Sequence, residues 1–318
     1  MSLKITGMGK SIPEKCVSND DIASFLDTDD EWIVSRTGIK KRYICTHETL
    51  TDLSVTASNQ AIENANLSAS DIDLLLCATL GGDYRTPSLA CTVAELIGTK
   101  CPAFDINAAC TGFVYALDVA STYLQTGKAK NVLILCAEMM STQVDWDDRN
   151  TCILFGDGAA ACIVTPGNAL KYISLSTIAD TKILNLPNDT GNSPFIKTKK
   201  GKDYLHMQGQ EVFKFAVNVV GPDMEKALEV LKMEPGQIDW YLVHQANKRI
   251  IDSIRRRLRQ PEEKFPVNIG DYGNLSSVSI PLLLSEMLDE NKIKPGDTLF
   301  MTAFGAGLTA GSCVMVWE

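Results

Sequence analysis

The feature of this chain that most restricts its fold is a pattern that occurs twice. Ala61-Ile-Glu-Asn-Ala-Asn-Leu67, followed by Asp71-Ile-Asp73, lies over Ala227-Leu-Glu-Val-Leu-Lys-Met233, followed by Gln237-Ile-Asp239, at a shift of 166 residues. The same shift sets the apolar run at Val132 over the one at Thr298, and Cys110 over Ser276. Two helix–strand units in one register read as an internal duplication. Short apolar runs alternate with longer helical patterns, which is the signature of α/β layers. Buried strands are expected in the runs at 72–79, 132–137, 240–244 and 299–303, each after a helical stretch. The boundary falls near Pro166-Gly167, giving halves 1–166 and 167–318 with no long linker between them. Tight packing of the halves follows.

At 318 residues each half can bury a real core. The net charge of −9 leaves no general basic field for nucleic acid, so a polyanion must use a local patch. The longest apolar runs fall far short of the roughly 18 residues of a membrane span, and Met1-Ser-Leu-Lys-Ile-Thr-Gly7 lacks the apolar stretch of a signal peptide. The ten cysteines occur singly, with no CxxC, and several lie in strand-like runs where cysteine is a small core residue. The expected compartment is the reducing cytosol. With three histidines, no Cys/His zinc cluster and no metal site are expected.

Chemistry concentrates at three places. In Phe104-Asp-Ile-Asn-Ala-Ala-Cys110-Thr-Gly, a strand-like run ends and a helical pattern begins just after Cys110. A thiol at a helix N-terminus is favoured as thiolate; the alternative is a buried structural cysteine like its neighbours. His244 ends the run Trp240-Tyr-Leu-Val and precedes another helix, where ligands collect in α/β folds; the alternative is a satisfied core histidine. Asn274, in Tyr272-Gly-Asn-Leu-Ser-Ser277, precedes a third helix and also reads as a cap or turn residue. His47 and His206 lie in polar segments and look bland. Gly305-Ala-Gly307-Leu-Thr-Ala310 and Gly7-Met-Gly9 are decoys, the first lacking room for the acidic residue of a dinucleotide site and the second a third glycine. Lys248, Arg249, Arg255, Arg256, Arg257 and Arg259 form a basic stretch after His244 that suits an acidic partner, a phosphate-bearing substrate, or a solvated helix face.

The chain resembles the β-ketoacyl-acyl carrier protein synthase III enzymes of the thiolase-like superfamily. The likeness runs from Gly7 to Gly311 and is carried by Asp27-Thr-Asp-Asp-Glu-Trp-Ile33, Arg36-Thr-Gly-Ile39, Asn107-Ala-Ala-Cys110-Thr-Gly-Phe, Phe155-Gly-Asp-Gly-Ala159, His244-Gln-Ala-Asn247 and Tyr272-Gly-Asn-Leu-Ser-Ser-Val-Ser-Ile-Pro281. It implies a thiolase-like α/β fold, two duplicated halves in a layered α-β-α-β-α core. It also implies a triad of Cys110, His244 and Asn274 for decarboxylative condensation of an acyl-CoA primer with malonyl-acyl carrier protein at the start of fatty-acid synthesis. Cys110 would carry the acyl group, and the N–H groups of Cys110 and Ala306 would form the oxyanion hole.

The resemblance further implies coenzyme A contacts at Thr28, Trp32, Arg36, Arg149, Gly209 and Asn247, with Trp32 and Arg149 sandwiching the adenine. Acyl carrier protein is expected to dock on Lys248, Arg249, Arg255 and Arg256. A homodimer without resident cofactor, metal, nucleic acid or membrane partner is expected. Three positions depart from the family pattern: Ala306 in the Phe304-Gly-Ala-Gly307 turn, where φ > 0 would strain a Cβ, Ala310 before Gly311, and Thr86 at the wall of the acyl pocket, where a smaller side chain leaves room for a longer primer. The alternative function is a homologous condensing or acyl-transfer enzyme of secondary metabolism. An acyl-carrier-binding scaffold without catalysis is a third reading, disfavoured by the intact triad.

Overall fold

Apolar runs that are hydrophobic at every position need both faces covered, and the fold supplies this with two sheets and three layers of helix. The computed structural model describes residues 2–188, Phe195 and 204–318. In the first sheet the strands lie in the order Ser2–Ser11, Asp157–Gly167, Val132–Met139, Leu74–Ala78, Ala103–Ile106. In the second the order is Leu170–Thr177, Thr309–Val316, Thr298–Gly305, Trp240–Val243. Read in this direction, both sheets pair antiparallel, antiparallel, then parallel. The duplication is thus repeated in strand order and direction, and the first sheet adds one edge strand. The chain passes from one sheet to the other between Gly167 and Leu170; halves of 1–166 and 167–318 are our proposal for the repeated unit.

Side-chain alternation assigns the layers. Leu74, Leu76 and Ala78 join Phe113, Leu117, Leu282 and Leu283 in a central core that also takes Leu242, Leu299 and Met301 from the second sheet. The helices Gly112–Gln125 and Ser279–Asp289 therefore lie between the sheets. Leu75 and Cys77 point the other way, onto Leu53, Ala57 and Val93 of the helices Leu50–Asn64 and Leu89–Ile97. Tyr241, Val243 and Phe300 pack outward on Met224, Leu228, Ile250 and Ile254 of the helices Gly221–Leu231 and Lys248–Leu258. The result is the five-layer α-β-α-β-α arrangement that the resemblance implies.

Local signals fix the helix starts. Thr49 and Asp52 form a reciprocal capping box at Leu50–Asn64, and Asn247 caps Lys248–Leu258 by accepting from the Arg249 N–H at 2.9 Å. The register of the central turns corrects the sequence alignment by one residue. The matching 3₁₀ turns are Ala109–Thr111 and Ser276–Val278, each opening in the left-handed region, at φ +46° and +51°. Ala109, not Cys110, therefore stands over Ser276. The second half gains one residue before its turn and loses it before the next strand, so helix–strand alignment alone misses the slip.

The Gly7-x-Gly9 pair has a packing role. A Cβ on Gly9 would stand 2.1 Å from the Ala57 carbonyl oxygen, so glycine lets the helix Leu50–Asn64 lie directly on the strand Ser2–Ser11. Gly9→Ala should destabilise the protein by about 1–3 kcal/mol, an overpacking effect. Gly236→Ala, where a Cβ meets nothing within 4 Å, serves as the control. Urea midpoints should separate the two variants clearly; equal midpoints would refute close packing as the reason for glycine.

Candidate active site

The two 3₁₀ turns meet at the middle of the molecule. A Cβ on Gly112 would stand 2.8 Å from Ala78 Cβ and 3.2 Å from Ser277 Cβ, and one on Gly305 only 2.9 Å from the Cys110 nitrogen. Backbone from both halves therefore closes around Cys110. Beside it lies a cavity of about 1170 Å³, lined among others by Cys110, His244, Asn274, Phe304, Gly305 and Ala306. The three residues singled out from sequence are brought together on one wall system.

His244 follows the strand Trp240–Val243, and its N–H donates to the Thr302 carbonyl at 2.8 Å, which extends the parallel pairing by one residue. Its ring meets Phe304 edge-on with centroids 5.4 Å apart. Neither ring nitrogen has a partner among the described residues, although both are buried. Burial lowers its pKa to about 3, so the ring is neutral. A buried, unpartnered polar edge facing a cavity is unfavourable until a ligand supplies the bond. Asn274 is held more firmly. Its N–H donates to the Leu154 carbonyl at 2.8 Å, and its Oδ1 accepts the Ser276 N–H at 2.8 Å. With Oδ1 committed, the Nδ2 donor is what remains for the cavity.

Cys110 stands two positions before the helix Gly112–Gln125, but the thiol is not a resting thiolate. Burial pushes it up to about 12, while a hydrogen bond with the Ser276 hydroxyl works in the opposite direction. Desolvation outweighs the helix terminus, which corrects the expectation drawn from the dipole alone. The Ala306 strain expected from sequence is also absent: φ of +135° falls on Gly307 instead. Ala306 lines the cavity as an ordinary residue, and Ala310 packs into the apolar cluster around Phe304.

The outer residues divide. Gly209 and Asn247 line the cavity, whereas Thr28, Trp32, Arg36 and Arg149 do not. Asn247 has its Oδ1 in the helix cap and donates from Nδ2 to the Arg36 carbonyl at 3.0 Å. Arg149 lies 5.1 Å and Arg36 4.8 Å from the centroid of the Trp32 ring. A planar base between Trp32 and Arg149 needs roughly 7 Å, two van der Waals contacts. The expected sandwich is therefore closed on itself, and Arg149 must leave Trp32 to admit a base. Thr86 is exposed and does not line the cavity; its neighbour Arg85 does. His47 faces Glu14 and Glu48 outside the cavity lining, and His206 is exposed.

The basic helix Lys248–Leu258 buries Ile250, Ile251, Ile254 and Leu258 and turns its cations outward. Lys248 lies near Asp252 and Glu262, Arg255 near Asp252, and Arg257 makes a two-pronged contact with Glu225. Arg249, Arg256 and Arg259 are exposed without an acidic partner among the described residues. Sequence reasoning missed Glu138, a buried carboxyl at the end of the strand Val132–Met139. Its only signal was one acidic letter in an apolar run.

The neutral ring of His244 has a measurable consequence. The unfolded state takes up a proton near pH 6.5 and the folded state does not until about 3, so stability is full above 6.5 and falls as pH drops. Between pH 6.5 and 4.5 this loss amounts to about 2–3 kcal/mol. His244→Gln should lose less stability over that interval in denaturant titrations. An identical loss would show that the histidine is not the group responsible.

Comparison with known proteins places this geometry. The family 3-oxoacyl-[acyl-carrier-protein (ACP)] synthase III matches residues 104–181, and its C-terminal region matches residues 228–317. The chain is 43% identical over 321 residues to the β-ketoacyl-[acyl-carrier-protein] synthase III of Clostridium perfringens, covering 98% of each. It superposes on the crystal structure of 3-oxoacyl-[acyl-carrier-protein] synthase III from Aquifex aeolicus with a TM-score of 0.93 at 41% identity, covering 99% of this chain and 100% of the other. The priming β-ketosynthase of the R1128 polyketide pathway gives a TM-score of 0.92 at 32% identity, covering 100% and 97%. This chain belongs to the 3-oxoacyl-[acyl-carrier-protein] synthase III family.

Proposed function

We propose that the protein condenses an acyl-CoA primer with malonyl-acyl carrier protein, releasing carbon dioxide and starting fatty-acid synthesis. The observation that carries this reading is the convergence of one thiol and two unspent neutral donors, His244 and Asn274, on a single cavity. Cys110 attacks the primer thioester and keeps the acyl group while coenzyme A leaves. The malonyl thioester then places its carbonyl oxygen between the His244 and Asn274 N–H groups. As carbon dioxide departs, the enolate charge develops where those donors already point. The carbanion attacks the acyl-Cys110 carbonyl, whose oxyanion takes the N–H groups of Cys110 and Ala306. A neutral His244 suits this role because it donates without titrating at physiological pH. The reaction draws on two thioester substrates and no resident cofactor.

Thr28, Trp32, Arg36, Arg149, Gly209 and Asn247 belong to the proposed coenzyme A path, with Arg149 displaced on binding. Arg249 and Arg256, cations without an acidic partner among the described residues, are the centre of the proposed docking surface for acidic carrier protein. A homodimer belongs to the same reading: the strand Ala103–Ile106 pairs on one side only, and Phe104 on it and Leu96 on the adjoining helix are exposed. All ten cysteines are free, which fits a reducing cytosol. No helix among the described residues is long and apolar enough to cross a membrane.

Incubation with labelled acyl-CoA should place one acyl group on Cys110, and Cys110→Ser should take none; label on another cysteine would overturn the assignment. His244→Ala and Asn274→Ala should keep acylation but lose about 10²–10³ in malonyl decarboxylation. Equal loss of both half-reactions would make His244 a support for the thiol instead.

Reversal of Arg249 and Arg256 to Glu should raise KM for malonyl-acyl carrier protein and flatten its salt dependence, leaving KM for the primer unchanged. Parallel losses on both substrates would remove the docking assignment.

A further inference from the structure

The amide of Asn274 can serve as a donor only while it keeps one of its two orientations, with Oδ1 occupied and Nδ2 left for the cavity. Its backbone is fixed on both sides: the N–H donates to the Leu154 carbonyl at 2.8 Å, and the carbonyl accepts the Gly156 N–H at 3.2 Å. Rotation of the side chain remains, and among the described residues its one hydrogen bond is the Ser276 N–H on Oδ1 at 2.8 Å. Ser276 stands at φ +51°, a region unfavourable for a residue with a Cβ. Its hydroxyl donates to Oε1 of Glu138 at 3.0 Å, a bond that crosses from one repeat to the other. Glu138 is 1% exposed, and its Oε2 accepts the Leu80 N–H at 3.0 Å, which ties down the other end of the carboxyl group. The Ser277 hydroxyl also lies on Oε1, at 2.8 Å, but it has a second acceptor in the Ala78 carbonyl at 3.2 Å.

The first repeat contains the same turn without the carboxyl tie. Asn107 and Ala109 stand there in the places of Asn274 and Ser276, with Ala109 at φ +46°. Ala109 has no hydroxyl to anchor, and its N–H lies 3.4 Å from Asn107 Oδ1 instead of 2.8 Å. The turn by itself therefore gives a loose contact, and the close one accompanies the tie to Glu138. The geometry points to Glu138 as a positioning residue for Asn274: through Ser276 it holds the N–H that fixes the amide, so that Nδ2 is set for the cavity before substrate arrives. Glu138 belongs to the first repeat and Asn274 to the second, so one repeat aims a donor that the other carries. A donor aimed in advance stabilises developing charge without having to turn as the enolate forms.

This role rests on Asn274 being a donor to the enolate, and the test separates the two. Glu138→Met keeps the length of the side chain and removes its acceptor oxygens. It should acylate Cys110 from labelled acyl-CoA at the native rate, while kcat for malonyl-acyl carrier protein decarboxylation falls about tenfold or more with KM unchanged. In an Asn274→Ala background the same substitution should add less than about twofold, because the amide it positions is gone. The full factor in both backgrounds, or an equal loss of acylation, would make Glu138 a support of the core alone and overturn the role; so would undiminished decarboxylation in Glu138→Met. Unchanged decarboxylation in Asn274→Ala would instead remove the donor reading, and this role with it. If Glu138→Met does not fold, the serine pair decides: loss of decarboxylation in Ser276→Ala with Ser277→Ala near native supports positioning, and equal rates in the two variants overturn it.

Discussion

Contact between the end of the strand Thr298–Gly305 and the backbone of Cys110 sets the terms for everything else in this molecule. Only a residue without Cβ allows Gly305 to lie against the Cys110 nitrogen, and only Gly112 allows the following helix to close on Ala78 and Ser277. These approaches bring two turns, one from each repeat, to backbone distance. The triad is a product of that seam: the first repeat supplies the sulfur and the second supplies both donors. Side chains of the central helices fill the space around it from both sheets. A rigid interior of this density holds the donors in place before any ligand arrives.

Much of this was legible in the letters. Runs such as Leu74-Leu-Leu-Cys-Ala and Val132-Leu-Ile-Leu-Cys-Ala are strands with both faces buried, and their repetition at one shift gave the two sheets. Cys110 and His244 stood out because each lies between a strand-like run and a helix, a relation local in sequence. What stayed hidden depends on distance in sequence. Glu138 and Ser276 are 138 residues apart, and nothing local in sequence relates one to the other. The one-residue slip between Ala109 and Ser276 appears only through backbone angles. The Gly7-x-Gly9 pair, set aside as a failed nucleotide motif, answers to a helix more than forty residues away. Resemblance placed Thr86 at the pocket wall, and the residue that lines the cavity of the single chain is its neighbour Arg85.

The polar groups at the seam share one electrostatic setting. Desolvation keeps His244 neutral, raises the Cys110 thiol and raises Glu138, so each group near the cavity resists carrying charge when the site is empty. That setting favours chemistry in which charge is moved along hydrogen bonds or delivered by a substrate. Arg42 shows how charge is tolerated elsewhere in the fold. Wholly buried, it spreads its guanidinium over the carbonyl of Ile153 and the side-chain oxygen of Asn19. Its neighbour Leu154 offers the carbonyl that fixes Asn274. A buried cation is thus two residues of chain removed from a donor whose direction matters to about an ångström.

The closed stack of Arg149 on Trp32 covers the indole face with a group of the chain's own. On the proposed coenzyme A path, an aromatic ring would trade places with a guanidinium that already satisfies the indole face and donates to the Asp27 carbonyl at 2.6 Å. The net affinity gained there is the difference between two stacks, not the worth of one. A primer thioester stripped of its nucleotide head leaves that internal stack undisturbed, and so forfeits less than the number of contacts with the head would imply. On the proposed path, the grip on the first substrate would thereby shift from the Trp32 stack toward the cavity that Cys110 lines.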